Sequence, residues 1–136
     1  MILEEFLIWS AEQPEQYEYI DGQPVLVSGS TQQRAALKAD ILAALHAKFR
    51  GTGCRVYSSI RIVLPSIQEV RYPSLVVDAG LFDPDATEPS KPILIIDIGR
   101  DRDWSALLEA QYLYVPDDAD ADTAIDIAIS MIGVIR

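Results

Sequence analysis

The chain has 136 residues, 49% of them hydrophobic, which is enough for one ordinary core and too little for two, so residues 1–136 are expected to form a single domain. Its one cysteine, Cys54, excludes an internal disulfide and a thiolate metal centre and fits a reducing, cytoplasmic setting. The net charge of −10 is uneven: residues 1–72 carry seven Lys/Arg against eight Asp/Glu and residues 73–136 four against thirteen. This excludes a general DNA-binding surface and confines any nucleic-acid contact to a local basic face of the first half.

Leu3, Phe6, Leu7 and Trp9 recur at helical spacing until Gln13-Pro14-Glu15 interrupts them, which predicts a short first helix. No basic region precedes the apolar residues of Met1–Phe6, so this end reads as mature structure rather than a leader. Tyr17–Ile20 and Pro24–Val27 flank Asp21-Gly22 as the arms of a β-hairpin. Ser28–Thr31 then supplies a cap for a helix from about Gln32 to Arg50. Ala36, Leu37, Ile41, Ala44, Leu45 and Phe49 form its apolar stripe, with Arg34, Lys38 and Lys48 mostly off it.

Cys54–Tyr57 and Ile60–Leu64 have the β-branched composition of short strands, followed by a turn at Pro65-Ser66. Ser74–Ala79 and Ile93–Ile98 are near-continuous apolar runs, as expected of central strands covered on both faces. Asp101-Arg102-Asp103 precedes Trp104, Leu107, Leu108 and Tyr112, which predicts an amphipathic helix with an acidic first turn; Tyr112–Val115 opens a further strand. Asp117–Asp122 reads as a solvated loop, because it lacks the glycine and terminal Glu of a calcium loop. Ile125, Ile127, Ile129 and Met131 alternate with Asp126, Ala128 and Ser130, which predicts a final strand with an apolar edge. The apolar stretch Ala124–Ile135 is too short for a membrane span.

Four stretches taken together resemble the Uma-two branch of the PD-(D/E)XK restriction-endonuclease-like superfamily. They are Glu5-Phe6-Leu7 through Trp9 with Tyr17–Gly22, the helix after Ser28-Gly29-Ser30, Cys54-Arg55-Val56-Tyr57, and Arg71-Tyr72-Pro73 with Val76-Val77. The resemblance covers roughly residues 3–98. It implies an α/β (α+β) fold with a mixed central sheet flanked by helices, and hydrolysis of nucleic-acid phosphodiester bonds. In such a site carboxylates hold Mg²⁺ or Mn²⁺, which polarises the phosphate and activates water, while a lysine supports the developing charge.

By that resemblance Glu18 stands at the family's early acid and Asp97 at its strand-end acid. The family's Pro-Asp reads Pro73-Ser74, replacing a carboxylate with a neutral hydroxyl. If Tyr112 matches the tyrosine of the family's last helix, its Lys and Asp positions are Leu108 and Trp104, and a frequent histidine falls on Arg34. Period-two geometry puts Asp78 on the same strand face as Ser74, which makes it the candidate substitute. The expected catalytic residues are therefore Glu18, Asp97 and Asp78, with Asp97 and Asp78 as metal ligands. Arg100 or Arg102 can add positive charge but no general base.

His46 is alone and reads as a surface or packing residue, which also removes a base for any serine nucleophile at Ser74. Two readings follow. One is a Mg²⁺- or Mn²⁺-dependent endonuclease with an altered site, contacting DNA through its first half. The other is a catalytically inactive relative serving as a binding or homodimerisation module through the C-terminal edge.

Overall fold

A computed structural model describes residues 1–104 and 107–135. Helix α1 (Leu3–Ala11) opens the chain, with the Glu5 carboxylate accepting the Ile2 N–H at 3.2 Å. It is followed by the hairpin β1 (Tyr17–Ile20) and β2 (Gln23–Leu26), whose turn residues Asp21 and Gly22 have φ of 51° and 75°. Positive φ at both turn positions matches the right-handed twist of the arms, and Asp-Gly tolerates it better than most pairs. Phe6 stacks on Tyr19 at 4.8 Å, and both join Leu3 and Val70 in a small core that seats α1 on this hairpin.

Thr31 caps α2 (Gln32–Phe49) by accepting the Arg34 N–H at 3.1 Å. Leu37, Ile41, Leu45 and Phe49 are its buried stripe; Ala36 lies outside it. The chain continues through β3 (Arg55–Ser58), β4 (Ile62–Leu64), a 3-10 turn at Pro65–Ile67, β5 (Glu69–Arg71), β6 (Leu75–Asp78), β7 (Pro92–Ile98) and β8 (Gln111–Val115) to helix α3 (Ala121–Ile135).

The strands form two four-stranded sheets, β2-β1-β5-β4 and β3-β6-β7-β8. The first is antiparallel; in the second β8 runs parallel to β7, giving the mixed sheet flanked by helices that was expected. As their apolar runs predict, β6 and β7 are the inner strands, and their residues are buried apart from partly covered Pro92. Leu75, Val77, Leu94, Ile96 and Ile98 pack against α2 and α3, while Val76 and Ile95 face Ile62, Leu64 and Trp104. Each such buried aliphatic side chain contributes about 1.5–3 kcal/mol, so this double-covered pair of strands anchors the fold. The chain crosses between the sheets three times, the last at Tyr72-Pro73-Ser74, between β5 and β6.

Two expectations are corrected. The predicted helix from Trp104 to Tyr112 includes residues 105–106, which lie outside the described residues. Leu107 and Leu108 donate back to the Trp104 carbonyl in a turn, and Tyr112 lies in β8. An acidic first turn and apolar spacing were outweighed by the gain from adding a parallel strand beside β7. The predicted C-terminal strand is instead helix α3, so the apolar edge proposed for homodimerisation does not exist. Its buried residues are Ala124, Ala128 and Ile132, spaced by four, while Ile127 is exposed. Small alanines let the helix sit close to the sheet, and the alternating isoleucines obscured that period. The Asp117–Asp122 stretch has specific contacts. Asp117 pairs with Arg34, and Asp120 caps α3 by accepting the Thr123 N–H at 3.0 Å. Among the described residues, no helix is long and apolar enough to cross a membrane.

Candidate functional site

Glu18 and Asp97 come from different sheets and meet where the chain crosses between them. On β1, Tyr19 faces α1, so period-two geometry turns Glu18 to the opposite face, where it is only 4% exposed. On β7, Asp97 shares the face of Ile95 and is 3% exposed. Buried carboxylates are costly unless hydrogen-bonded and charge-compensated, and both are.

Arg102 supplies most of that compensation. Its Nη1 donates to Glu18 Oε2 at 2.8 Å, while its Nε and Nη2 lie 3.3 and 3.4 Å from the two Asp97 oxygens. Arg100 Nη2 donates to Glu18 Oε1 at 2.9 Å, and the Tyr72 backbone N–H donates to Glu18 Oε2 at 2.7 Å. Burial alone would raise the Glu18 pKa, but the Arg102 hydrogen bond, the Tyr72 N–H, the Arg102 charge and the Arg100 hydrogen bond hold it below the ordinary carboxylate value. The Tyr112 hydroxyl accepts the Arg102 backbone N–H at 2.8 Å and donates to Asp97 at 3.3 Å. Burial, with the nearby Asp97 charge, pushes the Tyr112 phenol up, so it stays a donor at neutral pH.

Asp78 is not brought to this centre. It sits at the far end of β6, paired with Pro92, five residues before Asp97 on β7, or about 16 Å along the strand. Its carboxylate accepts the N–H groups of Gly80, Ser90 and Lys91 at 3.1, 3.2 and 2.7 Å, closing the loop between β6 and β7. The period-two expectation is interrupted, because Ser74 precedes β6 and the β6–β7 register shifts between Val77 and Asp78; the antiparallel β7 places its Asp97 end near Ser74 rather than Asp78. Ser74 has a structural role there, its hydroxyl accepting the Ile98 N–H at 2.9 Å.

One cation, Lys38, extends the site beyond what the sequence offered. Lys38, on α2, lines the same cleft of about 350 Å³ as Glu18, Asp97, Ser74, Arg100 and Arg102. Burial lowers its pKa, and it has no ion-pair partner among the described residues. Arg34, one turn before it, also lines the cleft but is engaged by Asp117. Lys38 carried no signal beyond lying off the apolar stripe. Arg102 had one, being an arginine a short turn after a strand-ending acid, although its double engagement depends on the other sheet.

The donor set does not fit a divalent metal. Both carboxylates are already held by guanidinium groups, and among the described residues no three His, Cys, Asp or Glu side chains gather as a metal site. Mg²⁺ needs near-octahedral oxygen coordination at 2.0–2.1 Å, which a guanidinium lying between the carboxylates prevents.

Comparison with known proteins gives the family of the chain. No protein of curated function matches the chain. The fold is similar to the crystal structure of a "putative nuclease" of the DUF820 group from Anabaena variabilis, with a TM-score of 0.63 and 15% identity over 85% of this chain and 74% of that one. The Uma2 family model, described as "Putative restriction endonuclease", matches residues 3–103, a span that includes Glu18, Lys38, Asp97, Arg100 and Arg102. The chain therefore belongs to the Uma2 family of restriction-endonuclease-like proteins.

Proposed function

We propose that this nuclease-family chain binds the phosphodiester backbone of DNA in the Glu18–Asp97 cleft and, as built, does not hydrolyse it. The observation that carries this reading is the cleft's charge balance. Arg34, Lys38, Arg100 and Arg102 meet three carboxylates, Glu18, Asp97 and Asp117, each committed to an arginine, which leaves the partly buried Lys38 ammonium without an ion-pair partner among the described residues. An unpaired cation in a semi-enclosed cleft attracts a monoanion, and a phosphodiester carries one charge per group. Ser28, Gly29 and Ser30 on the rim offer backbone and hydroxyl groups of the kind that position phosphates. The acidic remainder of the chain repels duplex elsewhere and favours contact here. The buried free thiol of Cys54 fits action in a reducing compartment such as the cytoplasm.

Metal-dependent hydrolysis would need ligands that the Glu18–Asp97 pair does not offer while Arg102 holds it. Fluorescence anisotropy with labelled DNA tests the binding: Lys38→Gln is expected to weaken it about tenfold and to lower the salt slope by about one. Unchanged binding in Lys38→Gln would sink the reading. Plasmid cleavage in Mg²⁺ or Mn²⁺ that disappears in Asp97→Ala would replace it with an active endonuclease.

A further inference from the structure

We infer that Arg100 and Arg102 together are the chain's own substitute for a divalent cation at the Glu18–Asp97 centre. This is independent of what the cleft binds, and it rests on geometry, charge and fixation.

One guanidinium spans both carboxylates: Arg102 Nη1 is 2.8 Å from Glu18 Oε2, and its Nε is 3.3 Å from Asp97 Oδ2. Arg100 Nη2 takes the remaining Glu18 oxygen at 2.9 Å. Two guanidinium charges meet two carboxylate charges, the same total that one Mg²⁺ would bring. The planar fork presents donors along two edges, so a single Arg102 side chain can link acids from two sheets where a lysine, a point charge, cannot hold the same fork geometry.

The arginine is also fixed. Its backbone N–H donates to the Tyr112 hydroxyl at 2.8 Å, its guanidinium carbon lies 5.3 Å from the Trp104 ring centroid, and its side chain is 14% exposed. A guanidinium keeps its proton throughout the physiological range, so the two sheets stay tied at any pH that leaves the acids ionised. It carries no coordinated water, so it preserves the architecture of the centre without the water-activating chemistry of a metal.

Wild-type protein should therefore show no thermal shift with Mn²⁺ relative to EDTA and no bound Mn²⁺ by electron paramagnetic resonance. Arg102→Gln removes the bridging charge, and Arg100, whose side chain is 55% exposed, can turn to solvent. The variant should melt lower in EDTA and regain about 10 °C at a hundredfold excess of Mn²⁺ over its Kd, with the gain lost on adding Asp97→Asn. A folded Arg102→Gln protein that ignores Mn²⁺ overturns the inference. So does wild-type protein that binds Mn²⁺ stoichiometrically through Asp97, a measurement that remains decisive if the variant does not fold. Loss of DNA binding in Lys38→Gln leaves this result unaffected, so the two proposals fail separately.

Discussion

Arg34 and Asp117, separated by 83 positions, form a bidentate pair with Nε–Oδ1 and Nη2–Oδ2 distances of 2.8 and 3.0 Å. The pair ties the first turn of α2 to the loop before α3 and packs against Gly99, at the end of β7. A Cβ on Gly99 would lie 2.4 Å from Asp117 Oδ1 and 2.5 Å from Arg34 Nη2, and its φ is +79°.

Gly99→Ala should therefore cost about 2 kcal/mol or more, because the left-handed backbone is strained for alanine and the ion pair must also move. Urea unfolding measures this directly. A midpoint within error of wild type would mean that the pair is mobile enough to make room.

Glu18 should set part of the acid limb of stability. Its folded pKa lies below its unfolded value of about 4.3, so the stability it contributes is fully present above that value and is lost as pH falls through the folded pKa. Glu18→Gln should lower stability at pH 7 by about 3 kcal/mol, because it leaves buried Arg102 without one of its two partners. It should also flatten the decline below about pH 5. Denaturation midpoints between about pH 3 and 7 decide this, and a parallel decline in both proteins would count against it.

Asp78→Ala should destabilise by about 2–4 kcal/mol, because three backbone N–H groups lose a charged acceptor that is only 2% exposed. DNA affinity of the folded variant should match wild type, since Asp78 lies about 16 Å along the strand from Asp97. A selective loss of binding at unchanged stability would return Asp78 to the site.

Ala128→Leu should cost about 1–3 kcal/mol by overfilling the contact between α3 and the sheet, where Ala128 is fully buried. Ile127→Lys, on the exposed side, should change stability by no more than about 0.5 kcal/mol. A C-terminal strand would reverse this ranking, so the two thermal melts test the helix assignment itself.

Much of the site's ancestry was legible in the sequence. The hairpin around Asp21-Gly22, the helix behind Thr31 and the two apolar strands are local patterns, and they placed Glu18 and Asp97 on the correct elements. Asp78 was misjudged because strand period fixes only the face of a residue, whereas the antiparallel pairing of β6 with β7 fixes which end lies beside Asp97. Lys38 was overlooked because the value of a polar helix residue depends on the surface its helix packs against. The isoleucines of α3 alternated like a strand, while the alanines that set its helical face carried almost no hydrophobic signal.

By itself the sequence determined the family and the inner strands, because residue identity and short-range periodicity carry that information. The tertiary structure alone decided what became of the remaining acids. Glu18 and Arg102 are 84 positions apart, and only the crossing of two sheets places one guanidinium between Glu18 and Asp97. Electrostatic compensation depends on distance in space and burial, neither of which is written in the local pattern of the chain.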